Sequence, residues 1–180
     1  MKDGGDLQEV TNDFYVFRDF DETLLREVGQ DLMFTALNLG GRQPVINLWI
    51  NSYGGLVSVL NTFLDAVEIA KARGITVATY ATGAAYSCGS MLAVAGTPGH
   101  RYMGPNAHHL LHFGWTGAEG TNPTEFDRDA SRSRAHFDFV FNHYRKHAKV
   151  PRLREKLKDD NLFVGFDQAV EWKLADGGLT

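Results

Sequence analysis

Apolar and polar positions in the first half of the chain follow two different periods, and each change of period marks a new predicted element. Short apolar runs typical of buried strands occupy residues 14–17, 45–50 and 75–80. Between them, apolar residues recur every three to four positions over 22–38 and 56–73, which predicts two amphipathic helices. The apolar positions of the first helix are Leu24, Leu25, Val28, Leu32, Phe34 and Leu37. Strands that alternate with helices of this length predict a parallel sheet with crossover helices.

The pattern changes in the second half of the chain. A short helix of small residues over 87–95 is followed by two short strands, over 101–103 and 108–113. A glycine-spaced loop over 114–122 then leads into a long charged helix over 123–147, and two short helices follow over 153–157 and 166–174. The long helix has an apolar seam formed by Phe126, Phe137, Val140, Phe141 and Tyr144. All of these elements together predict the α/β fold class.

Length and composition favour one globular domain. The chain has 180 residues, enough for one sizeable core, and no internal repeat or linker divides it. Its 43% hydrophobic and 22% charged residues are the proportions of an ordinary globular protein, so no fibrous or disordered class is indicated. We expect a flexible N-terminal segment over 1–12, where glycines and acidic residues cluster, and a single domain over 13–180.

Charge and hydropathy argue against several partners. The formal net charge is -4 and no basic stripe is evident, so nucleic acid is not expected as a partner. No apolar run approaches the about 18 residues of a membrane span, and the acidic N-terminus lacks the apolar region of a signal peptide. The single cysteine, Cys88, fits a reducing compartment. The expected location is therefore the cytoplasm.

The segment GAAYSCGSMLAVAG, residues 83–96, carries the strongest signal for chemistry. Ser87 follows an apolar strand and opens a helix, so it lies at the positive end of a helix dipole beside unpaired backbone N–H groups. Acyl-transfer enzymes need a hydroxyl nucleophile and an oxyanion hole in such a place. The alternative is that Ser87 only caps the helix, since serine is a preferred N-cap residue.

A nucleophilic serine needs a base, and seven histidines compete for that role. His112 ends an apolar strand, where alternation places it on one face with His108 and Leu110. The alternative for His112 is a core histidine that pairs with a backbone group. His143 and His147 are four residues apart on the long helix, a spacing that suits a metal ion. Because no third ligand accompanies them, we predict neither a metal site nor a cofactor.

The turn Ser52-Tyr53-Gly54-Gly55 also joins a strand to a helix. Its glycines suit a phosphate loop, but the turn matches neither the dinucleotide-binding nor the Walker pattern. Equally, two glycines allow backbone N–H groups to approach a tetrahedral oxyanion closely. The nucleophile elbow G-x-S-x-G is only half present, because Ala85 stands at its first glycine and only Gly89 fits. An α/β-hydrolase is therefore not predicted.

Four blocks of the sequence together resemble the ClpP family, the proteolytic subunits of the caseinolytic Clp protease. In chain order they are INLWINSYGG (46–55), GAAYSCGSMLAVAG (83–96), RYMGPNAHHLLH (101–112) and FDQAVEWKLAD (166–176). The resemblance extends over nearly the whole chain. It implies that Ser87 is the nucleophile, that His112 is the general base, and that the N–H groups of Gly55 and Cys88 form the oxyanion hole.

The resemblance also implies a fold and an assembly. The fold is a ClpP/crotonase-like spiral of β-β-α units with a protruding strand–helix handle, here residues 114–122 and the long helix that follows. The implied assembly is a homo-oligomer of heptameric rings, joined through the handles into a tetradecamer. Its chamber would admit short peptides or unfolded polypeptides.

Two neighbouring residues compete for the third place of the implied catalytic triad. A gap-free alignment from His112 onward places Asn161 at the family's aspartate. A one-residue shift of the preceding helix places Asp160 there instead. Either side chain can accept the Nδ1–H bond of the imidazole, but only aspartate stabilises the imidazolium by its charge. On that ground we favour Asp160 marginally over Asn161.

The sequence departs from the family at several positions. Tyr53 replaces a usual proline, Tyr86 replaces a small residue, and Ile69 replaces an aromatic residue of the cleft that docks the unfoldase. The family's axial-loop sequence is also missing from the N-terminal segment. These departures weaken the expectation of an AAA+ unfoldase partner and leave the expected hydrolytic core unchanged. They are typical of a divergent member of the family, such as a phage-encoded one.

Three functions compete at this point. The leading hypothesis is a serine endopeptidase that cuts unfolded polypeptides or short peptides inside a ring-shaped chamber. The second is a catalytically weak scaffold subunit of a mixed ring, which an Asn161 triad would favour. The third is a crotonase-like acyl-CoA enzyme, which would need neither Ser87 nor His112 and would need a basic site for the CoA phosphates.

Overall fold

A computed structural model describes residues 12–114, 123–159 and 161–179 of the chain. Its strands are β1 (Asp13–Val16), β2 (Val45–Ser52), β3 (Thr76–Tyr86), β4 (Arg101–Met103), β5 (His108–Leu111), β6 (Leu162–Val164) and β7 (Gly177–Gly178). Its helices are α1 (Glu22–Leu24), α2 (Gln30–Asn38), α3 (Val57–Ala72), α4 (Cys88–Val94), α5 (Pro123–His147), α6 (Leu153–Asp159) and α7 (Phe166–Glu171). A π-helical turn, Leu25–Gly29, joins α1 to α2. The predicted α/β class is confirmed.

The strands form one mostly parallel sheet in which β3 occupies the centre. The parallel order runs β1-β2-β3-β4-β7, and β5 also pairs with β3 in parallel. The first part of β3 pairs with β4 through Thr79–Ala81, and its last part pairs with β5 through Ala84–Tyr86. The pair formed by β5 and β6 is antiparallel. The predicted parallel sheet with crossover helices is therefore present, with one antiparallel strand at its edge.

Strand β3 continues six residues beyond the predicted end of the strand at Tyr80. Apart from Tyr86 the added residues are short, so the apolar run that signals a strand stops before the strand does. The strand is irregular in this added part. The register between β2 and β3 shifts between Ile50 and Ser52, and Gly83 has a φ of 64°. This extension carries the chain to the carboxyl end of the central strand, immediately before Ser87.

The core lies between the sheet and the helices α2, α3 and α4. In the first predicted helix, Leu24 and Leu32 are buried as expected, but Phe34 and Leu37 are exposed. Both lie off the buried stripe of α2, which consists of Leu32 and Ala36, four residues apart. A residue two positions away from both, such as Phe34, faces the opposite side of a helix.

The long helix α5 agrees with its predicted bounds of 123–147. Val140 and Tyr144 of its seam are buried, whereas Phe137 and Phe141 are half-buried. The side chain of Phe126 is outside the described part. Of the predicted handle loop over 114–122, only Gly114 is described. No helix within the described ranges combines the length and the apolar character that a bilayer span requires.

The C-terminal segment is fastened to the sheet by a largely buried ion pair. Arg101 Nε donates to Asp176 Oδ2 at 2.7 Å, and Arg101 Nη2 donates to Asp176 Oδ1 at 2.6 Å. The remaining nitrogen, Nη1, donates to the backbone carbonyl of His147 at 2.7 Å. This guanidinium therefore joins β4, the end of α5 and the segment that leads into β7.

Candidate active site

Ser87 occupies a strained turn between β3 and α4. Its φ of 53° and ψ of −118° are rare for a residue with a side chain. The Ser87 N–H donates to the Leu110 carbonyl at 2.9 Å, which fastens the turn to β5. The side chain lines a cavity and makes no helix-capping hydrogen bond. The alternative hypothesis, that the Ser87 side chain only caps the helix, is therefore not supported.

The glycine pair of the turn after β2 packs against Ser87. A Cβ on Gly54, which has a φ of 117°, would lie 2.7 Å from the Cβ of Ser87. A Cβ on Gly55, which has a φ of 132°, would lie 2.5 Å from the carbonyl oxygen of Phe20. Backbone bonds fix this turn, since Phe20 N–H donates to Gly54 and Leu56 N–H donates to Phe20, at 2.6 and 2.7 Å. Both positions therefore require glycine.

Two backbone N–H groups beside Ser87 are available to a ligand. Among the described residues, neither the N–H of Gly55 nor that of Cys88 donates to a backbone carbonyl, and both residues line the cavity beside the Cys88 thiol. The Cys88 thiol donates to the Gly55 carbonyl at 3.2 Å, which joins the start of α4 to the glycine turn. Burial raises the pKa of Cys88 to about 11, so the side chain remains a thiol donor.

His112 lies at the end of β5, half-buried, and lines the same cavity. Its Nε2 has no hydrogen-bond partner within the described ranges. The side chain of Asn161 bonds to the same ring, and because Nε2 is unpaired, that bond uses Nδ1. Burial lowers the pKa of His112, the charge of His136 lowers it further, and the bond to Asn161 opposes both. The net direction is downward, which keeps the imidazole neutral at neutral pH.

The pairing of β5 with β6 explains why Asn161 meets His112. Leu111 pairs with Leu162 in this antiparallel ladder, so the next residue of β5 lies opposite the residue that precedes β6. Those two residues are His112 and Asn161. The other candidate for the third triad position, Asp160, lies outside the described residues.

One cavity of about 420 Å³ brings these groups together. Ser87, His112, Gly55 and Cys88 come from four segments that are separate in the sequence, and all four line it. Its remaining wall is largely apolar, formed in part by Val57, Met91, Phe113 and Val140. The arrangement can hold a carbonyl group near a hydroxyl, a neutral imidazole and two N–H donors, which is the set that acyl transfer requires.

His136 is a residue of this cavity that sequence reasoning missed. Its Nε2 donates to the Phe113 carbonyl at 2.6 Å, which fixes the backbone directly after His112. The available signal was its spacing, since His136, Val140 and Tyr144 follow one another at four-residue intervals on one face of α5.

His143 and His147 have a packing role in this structure. His143 Nε2 donates to the Met91 carbonyl at 2.8 Å and so joins α5 to α4. Burial lowers the pKa of His143 to about 4 and that of His147 to about 3. The two rings lie 4.7 Å apart, but the described ranges contain no group of three or more side chains suited to a metal ion. Their helical spacing alone therefore does not indicate a metal site.

Comparison with known proteins identifies the family. The family described as Clp protease matches residues 11–178. The ATP-dependent Clp protease proteolytic subunit 4 of Rhodococcus jostii (strain RHA1) is 33% identical over 135 residues, which cover 73% of this chain. The same alignment covers 66% of that relative, just under two thirds of its length. The resemblance carried by the four sequence blocks is thereby confirmed, and the mixed α/β architecture agrees with it. The chain belongs to the Clp protease family, as a divergent ClpP-like member.

Proposed function

We propose that this protein is a serine-type endopeptidase that cleaves peptide bonds through an acyl-enzyme on Ser87. The observation that carries the proposal is the convergence of Ser87, His112 and the N–H groups of Gly55 and Cys88 on one cavity. Membership of the Clp protease family supports the same reaction. No metal or cofactor is needed for it, because the chain supplies nucleophile, base and oxyanion donors.

The first half of the reaction forms the acyl-enzyme. Ser87 Oγ attacks the carbonyl carbon of the substrate while its proton moves to Nε2 of His112, the unpaired ring nitrogen. The negative charge that develops on the carbonyl oxygen is stabilised by the N–H groups of Gly55 and Cys88. The tetrahedral intermediate then collapses, the C–N bond breaks, and His112 returns the proton to the leaving amine.

The second half releases the product. Water replaces the amine, His112 Nε2 takes a proton from it, and the resulting hydroxide attacks the ester carbonyl of the acyl-enzyme. The same two N–H groups stabilise the second oxyanion. Collapse of this intermediate breaks the ester bond, returns the proton to Ser87 Oγ and frees the new carboxyl group. The enzyme is thereby regenerated.

We further propose that Asn161 orients His112. The bond between their side chains at Nδ1 supports this assignment, because it leaves Nε2 free for Ser87. An amide holds the ring but adds no negative charge beside the imidazolium, so turnover is expected to be slower than with aspartate. The neutral third residue is also the observation that favours the second candidate, a catalytically weak scaffold subunit of a mixed ring.

The acyl-CoA alternative has no comparable support. The cavity lining contains neither lysine nor arginine among the described residues, so no cation there would meet the phosphates of CoA. The proposed substrate is instead an extended peptide or an unfolded polypeptide. A cavity of about 420 Å³ admits a few side chains of an extended chain but not a folded domain.

We propose a homo-oligomeric ring as the working form, with heptamers joined through the handle segment. Family membership supports this assembly. A further support is the half-buried pair Phe137 and Phe141 on the long helix α5 that follows the handle. An AAA+ unfoldase is left out of the proposal, since the departures at Ile69 and in the N-terminal segment concern the features through which such a partner would dock.

Substitution of the nucleophile tests the proposed function. Ser87→Ala should abolish hydrolysis of short fluorogenic peptides, because the hydroxyl forms the acyl-enzyme. His112→Ala should cause a comparable loss, since the members of a triad act as a unit. Light scattering serves as the control and should give the same mass for both variants and the wild type. Peptide hydrolysis retained by pure Ser87→Ala protein would contradict the assignment.

A further inference from the structure

Three aromatic rings form a continuous cluster beside the active-site cavity. The ring centroids of Tyr53 and Tyr86 lie 5.5 Å apart at an angle of 78°. Those of Tyr86 and Phe163 lie 5.8 Å apart at 88°. Both are edge-to-face contacts, a favourable geometry for aromatic pairs. We call these three side chains the aromatic cluster.

Each ring of the aromatic cluster adjoins a residue of the proposed catalytic machinery. Tyr86 directly precedes Ser87, Tyr53 directly precedes the glycine pair, and Phe163 follows Asn161 by two residues. Tyr53 also lines the cavity itself. Through Tyr53, the one ring of the three that lines the cavity, the aromatic cluster reaches the place where the scissile bond would lie.

The aromatic cluster keeps much of its surface open to solvent. Tyr53 is 73% exposed and Phe163 is 56% exposed, while Tyr86 between them is half-buried. Large exposed rings gathered at the rim of a cavity are typical of a surface that a ligand covers. None of the three side chains is charged, so the surface suits an apolar ligand group.

We propose that the aromatic cluster is a substrate subsite that binds one aromatic or long aliphatic side chain of the peptide being cut. This inference rests on the proposed peptidase function. A peptide bound in extended form advances about 3.3 Å per residue, so the bound side chain would lie within about three positions of the scissile bond. The two departures Tyr53 and Tyr86 from the family pattern are then explained together, as two parts of one binding surface.

A peptide series measures this preference directly. The parent is a fluorogenic peptide of alanines, and each member carries one phenylalanine at a different position within three residues of the cleaved bond. Wild-type kcat/KM should rise roughly three- to tenfold for phenylalanine at one position, the size expected from aromatic contact. Tyr53→Ala and Phe163→Ala should each reduce this ratio towards one, mainly through KM. Tyr53→Phe keeps the ring and should keep the preference.

A matched control and two further readouts decide the result. Tyr15→Ala removes a ring that is 54% exposed on β1, outside the cavity lining, and should leave the ratio unchanged. Labelling of wild-type Ser87 by a fluorophosphonate tests the peptidase function separately, so absence of labelling would overturn both proposals. Normal labelling with the phenylalanine preference intact in Tyr53→Ala and Phe163→Ala would overturn the subsite alone. So would a changed oligomeric mass of these variants, which would identify the cluster as a contact between copies.

Discussion

The residue that accepts the Nδ1–H of His112 determines the charge of the proposed active site. With Asn161 in that place, as its bond to the ring supports, the imidazolium of the transition state has no carboxylate beside it. Asn161→Asp should therefore raise kcat for peptide hydrolysis, by on the order of tenfold or more, given the about ten-thousandfold effect of the reverse change in an aspartate triad. Asp160→Asn should leave kcat nearly unchanged.

The two substitutions separate the two candidates for the third residue. If Asp160 were the acceptor, Asp160→Asn would cut kcat steeply and Asn161→Asp would have little effect. Thermal unfolding of both variants provides the control, because a loss of fold would mimic a loss of kcat. Steady-state kinetics on one peptide substrate is sufficient for the comparison.

The pH dependence of activity provides a second prediction at this scale. Burial and the charge of His136 hold the pKa of His112 below its usual value of 6.5, and the proposed base would act as neutral imidazole. The midpoint of the acid limb of peptidase kcat/KM should therefore lie below pH 6.5, where the pH drops through this lowered pKa. His136→Gln removes the neighbouring positive charge, so the pKa of His112 should rise and the acid limb should move to higher pH.

Glutamine is a matched replacement because its side-chain amide can still donate to the Phe113 carbonyl, as His136 Nε2 does. A profile of kcat/KM against pH for the wild type and the variant measures the shift. An acid limb that stays in place, or moves to lower pH, would contradict the electrostatic account of His112.

The sequence could predict those site residues that belong to local motifs. Turns between a strand and a helix contain Ser87, Gly55 and Cys88, and the residues next to them in the sequence are enough to indicate a candidate site. Contacts between distant segments could not be predicted in this way. The approach of His136 to the cavity and the meeting of Tyr53, Tyr86 and Phe163 depend on how α5 and β6 pack, which no local pattern encodes.

At the scale of elements, the ion pair of Arg101 and Asp176 should stabilise the C-terminal closure of the sheet. Asp176→Asn leaves a largely buried guanidinium without its charge partner and should lower the free energy of unfolding by about 3 kcal/mol at pH 7. Burial alone would raise the pKa of Asp176, but the hydrogen bonds and charge of Arg101 bring it below 3.8 overall. A carboxyl group whose pKa is lower in the folded state than in the unfolded state stabilises the fold at pH values above its unfolded-state pKa. This stabilisation is lost as the pH falls through the folded-state pKa.

The difference in unfolding free energy between wild type and Asp176→Asn should therefore be full near pH 7 and shrink below pH 3.8. Denaturant titrations at several pH values measure it. A difference that stays constant with pH would show that the pair does not act through its charge.

The elements differ in how well the sequence predicts them, for physical reasons. Helix α5 is long and has a sustained apolar seam, and its bounds match the prediction. Strands β6 and β7 were missed, because three residues, or two glycines, are too short to show a period of two. Because β6 was not predicted, the contact between Asn161 and His112 could not be predicted either, since the ladder of β5 with β6 brings these two residues together.

For the whole molecule, the proposed assembly depends on the handle segment and α5. We expect the wild type to behave as a seven-fold or higher multiple of the chain in light scattering, because Phe137 and Phe141 of α5 are only half-buried within one chain and can pack against another copy. Deletion of residues 115–122 should release single rings or smaller species while the fold of each chain persists, as circular dichroism would show. A monomeric wild type at working concentration would contradict the ring.

The proposed peptidase activity requires Ser87 to be an activated nucleophile, and labelling with a fluorophosphonate measures that property most directly. The reagent should attach once per chain, and peptide mapping should find it on Ser87, because His112 and the N–H groups of Gly55 and Cys88 activate this hydroxyl towards a tetrahedral adduct. Labelling should be absent in Ser87→Ala and strongly reduced in His112→Ala. Wild-type protein that remains unlabelled, or that is labelled elsewhere, would contradict the serine peptidase assignment.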